Sequence, residues 1–295
     1  MTPYILEAKH VNFTYPQGET SSLKDLSLSV RKGSRTAVMG ANGSGKSTFF
    51  LCCNGILRPD DGQILYKGEP LSYRKKNLLD LRSKVGIVFQ NPDTQLFSAS
   101  VYQEISFGIL NLGTPKEQAE QEVRQIMDHL GITSFSHRPA HALSGGQKKQ
   151  VALADILVMK PELLILDEPF AALDPLHSSV IRTLIDDLGR EEALTVVTAT
   201  HDTGFALDWA DEVILFQNGR VLCQGSPDRV LTNEQLMQET HLEVPPVVRM
   251  FRCLTDSGIL NPALPCPRNY GQLEAYIRRE GAGTAMPQIH TGGIL

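Results

Sequence analysis

Residues 40–47 read Gly-Ala-Asn-Gly-Ser-Gly-Lys-Ser, an instance of G-x-x-x-x-G-K-[ST] set between the apolar run Thr36 to Met39 and a second apolar stretch that opens at Ser47. Few eight-residue strings constrain a chain as strongly. The glycines let the backbone turn so tightly that successive N–H groups face inward and hold phosphate oxygens. A helix that follows adds the positive end of its dipole. Lys46 places a cation on the terminal phosphates, and the Ser47 hydroxyl supplies a ligand for Mg2+. The motif therefore predicts a strand, a loop and a helix from Ser47 to about Leu57. Gly40, Asn42, Gly43, Ser44, Gly45, Lys46, Ser47 and Thr48 are the expected ATP-binding residues. The alternative is a glycine-rich turn that matches by accident, which average composition produces in about one chain in a hundred of this length.

A second apolar run, Leu163 to Leu166, ends in Asp167-Glu168. Adjacent carboxylates at the end of a buried strand are costly unless something uses them. Beside a phosphate cradle their roles separate: Asp167 would hold Mg2+, and Glu168 would be the general base that polarises the attacking water. The alternative is a strand that ends in a solvated acidic turn.

Between and around these landmarks the chain alternates strands with helices. Ile5 to Tyr15, Leu26 to Val30, Gln63 to Tyr66, Val85 to Phe89 and Leu194 to Thr200 read as strands, and Val213 to Cys223 as a hairpin turned at Asn218-Gly219. Pro115 to Leu130 has helical apolar spacing, and further helices are expected from Ser144 to before Pro161 and from about Leu176 to Arg190. This order predicts an α/β fold with a mostly parallel sheet covered on both faces. Residues 1–225 would form the main domain. After Gly225 comes a helix-prone segment broken by five prolines, read as an appendage over 226–280, and 281–295 reads as a flexible tail.

With 33 acidic against 28 basic residues the net charge is -5, so nothing in the balance favours a nucleic-acid partner. The longest apolar stretches fall far short of a membrane span. The first ten residues lack the layout of a secretory leader. Five scattered cysteines with no C-x-x-C pair fit a reduced cytosolic protein better than a metal site or a disulfide framework.

A phosphate loop and an acidic strand end leave kinases, GTPases and motor ATPases all open. Leu143-Ser144-Gly145-Gly146-Gln147, 23 residues ahead of Asp167 counted from Ser144, narrows the choice, because it resembles the signature of ABC ATPases. Opening a helix, Ser144, Gly145 and Gly146 offer N–H groups, a hydroxyl and a dipole end to an anion. In that family the signature, including Gln147, caps ATP bound to a second ATPase subunit, so the resemblance implies a dimer, here a homodimer. It also implies a helical subdomain over about 91–160 and an antiparallel β subdomain.

Four further positions match the family. Tyr15 resembles the aromatic that stacks on adenine, although an ordinary strand aromatic reads the same. Gln90 is similar to the glutamine that reaches Mg2+ and senses the membrane partner, and Asp174 to the carboxylate that crosses the dimer interface. His201 resembles the switch histidine at the γ-phosphate. The resemblance covers roughly residues 4–225. Gln150, Phe170 and Ala171 depart from the commonest pattern, none of them at a catalytic atom.

Val88 to Phe97 resembles the corresponding loop of energy-coupling-factor importers, and Tyr73 to Leu79 and Leu96 to Tyr102 look more like their cobalt/nickel branch than their vitamin branch. That implies an integral transmembrane subunit and a substrate-capture subunit as partners, a location on the cytoplasmic face of the membrane, and a groove for the membrane partner around residues 90–107. The rival readings fit less well. DNA-repair ATPases of this type interrupt the cassette with long coiled coils, but the 98 residues from Lys46 to Ser144 hold no heptad run. Translation-associated members carry two cassettes, whereas one is present here. A regulatory ATPase with a dead site would lack Glu168 or His201.

Overall fold

The computed structural model describes residues 2–18, 20–171, 173–191 and 194–281; the expected tail lies outside them from residue 282 onward. Two sheets organise the protein. The first is antiparallel, in the order β2 (Leu23–Arg31), β1 (Tyr4–Phe13), β4 (Asp61–Tyr66), β5 (Glu69–Pro70). The second runs β10 (Arg220–Gly225), β9 (Glu212–Gln217), β3 (Arg35–Met39), β8 (Thr195–Ala199), β7 (Leu163–Asp167), β6 (Val85–Val88). Its pairings are parallel except for the β9–β10 hairpin at the edge.

Successive side chains of a strand point to opposite faces, and the buried clusters follow that alternation. Ala37, Met39, Leu164, Leu166, Val213 and Leu215 join one cluster, while Val38, Leu163, Ile165, Ile214 and Phe216 join the other. The second cluster fills the space between the two sheets and takes in α1 (Lys46–Cys53) through Phe49, Phe50, Cys52 and Cys53. Fully apolar strands buried on both faces are what a central parallel sheet requires.

The first cluster covers the opposite face. It receives α3 (Val101–Asn111), α4 (Lys116–His129), α5 (Gly145–Leu157), α6 (Pro175–Glu191) and α7 (Thr203–Trp209). The C-terminal helices α8 (Pro227–Leu231), α9 (Glu234–Glu239), α10 (Pro246–Asp256) and α11 (Tyr270–Gly281) add Val230, Leu231, Met237, Val247, Phe251 and Leu273 to that same cluster. Within the segment Arg268 makes a two-pronged ion pair with Asp228 of α8, at 3.1 and 2.7 Å, and Asn269 ties it to α7 by donating to Asp208 at 2.7 Å.

The structure departs from the sequence expectations at four helices. The helix after the phosphate loop stops at Cys53 rather than Leu57, because Asn54 turns its amide onto the Val85 carbonyl and Gly55 adopts φ +67. A helix unforeseen in the sequence, α2 (Lys75–Lys84), buries only Leu81, so no apolar period announces it. Two more helices are unforeseen: α3, capped by the Ser100 hydroxyl on the Gln103 N–H, and α7, which has seven residues and is capped by the Asp202 carboxylate on the Phe205 N–H.

Candidate active site

The loop between β3 and α1 is held in shape by its own glycines. Gly40 has φ +139, and a Cβ there would lie 2.2 Å from the Phe216 carbonyl oxygen. Gly45 has φ +105, with a Cβ falling 2.7 Å from the Ser22 carbonyl oxygen. Neither position admits a side chain. Lys46, buried, bends back over the loop and donates from Nζ to the carbonyls of Gly40 (2.7 Å) and Ala41 (3.1 Å). Burial lowers its pKa, while the Glu168 and Asp167 carboxylates pull it back up.

Asn42 to Thr48 line a cavity of about 420 Å3 together with Tyr15, Ser22, Gln90, Asp167, Glu168 and His201. Four segments distant in sequence thus converge because β3, β7, β8 and β6 end side by side in one sheet, and Tyr15 and Ser22 join them from the loop between β1 and β2 of the other. Tyr15 projects from the antiparallel sheet, 39% exposed, with its hydroxyl 3.2 Å from Thr48 Oγ1. Ser44 Oγ is buried with no hydrogen-bond partner, an unmet polar group inside the cradle.

Asp167 is buried at the end of β7, and Glu168 follows with φ +50, a left-handed conformation that costs a residue with a β-carbon about 1 kcal/mol. Burial and the neighbouring Asp167 raise the Glu168 pKa, opposed by Lys46 and Lys149. His201 Nε2 lies 3.0 Å from both Asn42 Oδ1 and Glu168 Oε1. One N–H serves one acceptor at a time. The geometry directs it to Asn42, leaving Glu168 Oε1 buried without an aligned donor. Burial, and then the Lys46 cation, hold the imidazole pKa below its ordinary value.

The oxygen donors Ser47, Asp167 and Gln90 share this cavity, a set suited to a hard cation such as Mg2+. Among the described residues no group of three His, Cys, Asp or Glu could cage a metal. Mg2+ does not need one, since it binds through one or two side chains plus substrate phosphates.

Ser144, Gly145, Gly146 and Gln147 stand apart from this cavity. They begin α5 as a capping box in which Ser144 Oγ accepts from the Gln147 N–H (3.3 Å) and Gln147 Oε1 accepts from the Ser144 N–H (3.0 Å). Ser144 and Gly145 are exposed. Asp174, also exposed, does not line the cavity. Gln150 is buried and donates to the Leu130 carbonyl, and Phe170 packs edge-on against Phe205.

Sequence reasoning passed over several anchors of the loop that carries Gln90. Gln95 accepts from the Phe89 N–H and donates to the Ala152 carbonyl (2.8 Å) and to Asp155 (3.3 Å). Glu104, buried on α3, accepts from the Phe97 and Ser98 N–H groups. Only tertiary placement reveals such partners, although a buried-face glutamate in a helical period, as at Glu104, is a readable warning. Beyond that loop lies the larger cavity, about 670 Å3, lined among others by Phe97, Tyr102, Phe107 and Leu110. It holds none of the phosphate-cradle groups. Phe97 and Phe107 meet edge to face at 5.1 Å while remaining 69% and 50% exposed. That composition suits a protein partner rather than a phosphate.

Residues 23–171 match the ABC transporter family. The energy-coupling factor transporter ATP-binding protein EcfA of Methanocaldococcus jannaschii is 42% identical over 276 residues, covering 94% of this chain and 96% of the relative. The solved structure of cbiO1 from Clostridium perfringens, part of the ABC transporter complex cbiONQ, is 41% identical. It covers 85% of this chain and 100% of its own, with a TM-score of 0.71. A cassette solved as a dimer bound to ADP and Pi has a TM-score of 0.69 at 25% identity, covering 75% of this chain and 98% of its own. The phosphate cradle, the fold and these likenesses agree: the chain belongs to the ABC transporter family as an ATP-binding subunit that hydrolyses ATP, akin to the energy-coupling-factor ATP-binding proteins.

Proposed function

We propose that this chain is the motor subunit of an energy-coupling-factor importer for cobalt or nickel ions, working as a homodimer against an integral membrane subunit and a substrate-capture subunit. One observation carries the motor reading. The phosphate loop, Gln90, Asp167, Glu168 and His201 share a single cavity, while the signature residues 144–147 do not line it and begin a helix at which Ser144 and Gly145 are exposed. A second copy of the chain supplies what the first cannot present to its own nucleotide.

In this reading Asn42 to Thr48 bind the phosphates through backbone N–H groups and Lys46. Tyr15 stacks on the adenine. Ser47, Asp167 and Gln90 would hold Mg2+, which when bound neutralises charge between the β- and γ-phosphates. Glu168 orients and deprotonates the attacking water, a role that suits a carboxylate with a raised pKa and an acceptor atom left without a donor. His201, neutral at the pocket wall, steadies the γ-phosphate by hydrogen bonding. From the partner come Ser144, Gly145, Gly146 and Gln147 as a cap, with Asp174 at the interface. We assign residues 1–225 to the ATP-binding domain and 226–280 to the appendage. Relatives named for energy-coupling-factor transport support the importer, and the metal rests on the resemblance of residues 73–79 and 96–102 to the cobalt/nickel branch.

The apolar groove at Phe97 is the place for the membrane partner. The opening residues of its loop need a more careful test than the sequence suggests. Asp93 pairs with Lys148 of α5 at 2.7 Å, so reversing its charge would disturb the signature helix as well as the groove. Phe97→Ala is the cleaner variant, expected to lower uptake about tenfold, as loss of an interface aromatic does, while the detached subunit keeps its ATP hydrolysis. Unchanged uptake would place the docking surface elsewhere.

The decisive experiment is to purify the tagged chain from membranes of its native host in mild detergent and identify its companions. Integral membrane proteins that include a small metal-capture subunit are the expected result. A vitamin-type capture protein would keep the motor and remove the metal. Recovery of soluble partners alone would end the importer reading.

A further inference from the structure

Lys149 sits just over one turn into α5 and is buried, 8% exposed. Its Nζ donates to three backbone carbonyls of the segment that follows β7: Glu168 at 3.2 Å, Pro169 at 3.2 Å, and Ala171 in a still shorter contact. An ammonium has three protons and no acceptor, so one side chain spends its whole donor set on three residues within a four-residue stretch of a single loop. Burial of such a cation is unfavourable, and the Glu168 carboxylate partly compensates it.

The loop needs holding. Glu168 is in the left-handed region at φ +50, a conformation that persists only where the surroundings over-determine it. Its carbonyl is one of the three that Lys149 grips, and its side chain lines the nucleotide cavity. The Glu168 N–H also donates to the Ala199 carbonyl of β8 and Phe170 packs on Phe205, while the loop's remaining backbone bonds are turns, from the Ala171 N–H to the Glu168 carbonyl and from the Leu173 N–H to that of Phe170. Of the bonds described here, those from Lys149 join it to α5.

At the other end of that turn of helix, Ser144 and Gly145 are exposed. We propose that Lys149 is a positioning residue that ties the signature end of α5 to the Glu168 carboxylate of the same chain. A displacement of α5 when the partner's nucleotide seats on Ser144 then moves the 168–171 segment with it. Each subunit's hydrolytic carboxylate is thereby set by occupancy of the opposite site. The inference rests on the reading above that Glu168 is the base and that the signature meets the partner's nucleotide.

The test compares Lys149→Met, Lys149→Arg, Glu168→Gln and the double variant Lys149→Met/Glu168→Gln in steady-state ATP hydrolysis by the full chain. Lys149→Met should lower kcat about 10- to 100-fold, the scale of a misplaced reacting group, with KM within about twofold, because Lys149 does not touch the cavity. Lys149→Arg, which restores donors and charge, should recover most of the rate. The double variant should be no slower than Glu168→Gln alone, since a positioning residue has nothing left to position. Should the methionine variant fail to fold, Lys149→Gln, which keeps a donor, carries the same kcat-against-KM reading. Three results overturn the inference: an undiminished kcat, kcat and KM failing together without rescue by arginine, or a double variant slower by the full product of the two effects. Wild-type turnover by Glu168→Gln alone would instead remove the base assignment.

Discussion

The chain begins two helices on glycine, α1 after Gly45 and α5 at Gly145, and the two differ in what demands the glycine. At the phosphate loop the demand is internal: side chains at Gly40 or Gly45 would run into the backbone of Phe216 or Ser22. Around Gly145 a Cβ would meet nothing within 4 Å, and its backbone is helical. Glycine in a helix costs up to about 1 kcal/mol relative to alanine. At Gly145 the chain bears a cost of that kind with no contact of its own that needs it. In the function proposed above the demand comes from outside the chain, where this helix end closes over a nucleotide held by another copy.

The strongest way to break the comparison is to fill both positions. Gly40→Ala should lower stability by about 2 kcal/mol or more, from overpacking and backbone strain together, and should abolish ATP binding by the isolated subunit. Thermal melts and titration with a fluorescent ATP analogue read both. Gly145→Asp should do the opposite to the fold. An acid in the first turn favours the helix dipole, so stability should hold or rise by up to about 1 kcal/mol, and ATP should bind the isolated subunit normally. Hydrolysis should nevertheless fall about 100-fold, because a carboxylate meets the γ-phosphate across the interface. A Gly145→Asp protein that hydrolyses ATP at the wild-type rate would show that the signature end never meets a phosphate.

The same contrast explains what could be read from sequence. The phosphate loop, Asp167-Glu168 and the signature are legible because their chemistry requires fixed residue types at short, fixed spacing. Strands β3, β7, β8 and β9 are legible because burial on both faces leaves unbroken apolar runs. By contrast α2 exposes six of its ten residues and buries only Leu81, so its run of lysines and leucines carries no clear period. Lys149 illustrates a deeper limit. A lysine beside another lysine near a helix start reads as a solvated charge, and its three carbonyl partners lie 19 to 22 residues downstream on a loop that only the packing of α5 against the edge of the parallel sheet at β6 brings near. The ion pair of Asp93 with Lys148 is hidden for the same reason, since its partners lie 55 residues apart in the chain.

Deeper along the two helices the difference becomes one of titration. The interior face of α1 is Phe49, Phe50, Cys52 and Cys53; burial pushes the Cys52 thiol up to about 12, so that face is silent at ordinary pH. The interior face of α5 carries Asp155, whose pKa burial raises from 3.8 to about 7, with the Gln95 amide lowering it and the Glu104 carboxylate of α3 raising it. The folded state therefore keeps a proton that the unfolded chain has lost between about pH 4 and pH 7. This group's contribution to stability is greatest below that window, falls as pH rises through it, and is constant above. Asp155→Asn keeps an acceptor for the Gln95 amide and removes the ionisation. Relative to wild type it should be level near pH 4 and gain as pH rises, reaching about 1–3 kcal/mol by pH 8. Paired thermal or denaturant melts at pH 5 and pH 8 measure the gain. An equal difference at both values would mean that Asp155 ionises in the fold at no cost. A Cys52→Ser control should show no such pH dependence, which would confine the titrating element to the helix that carries the signature.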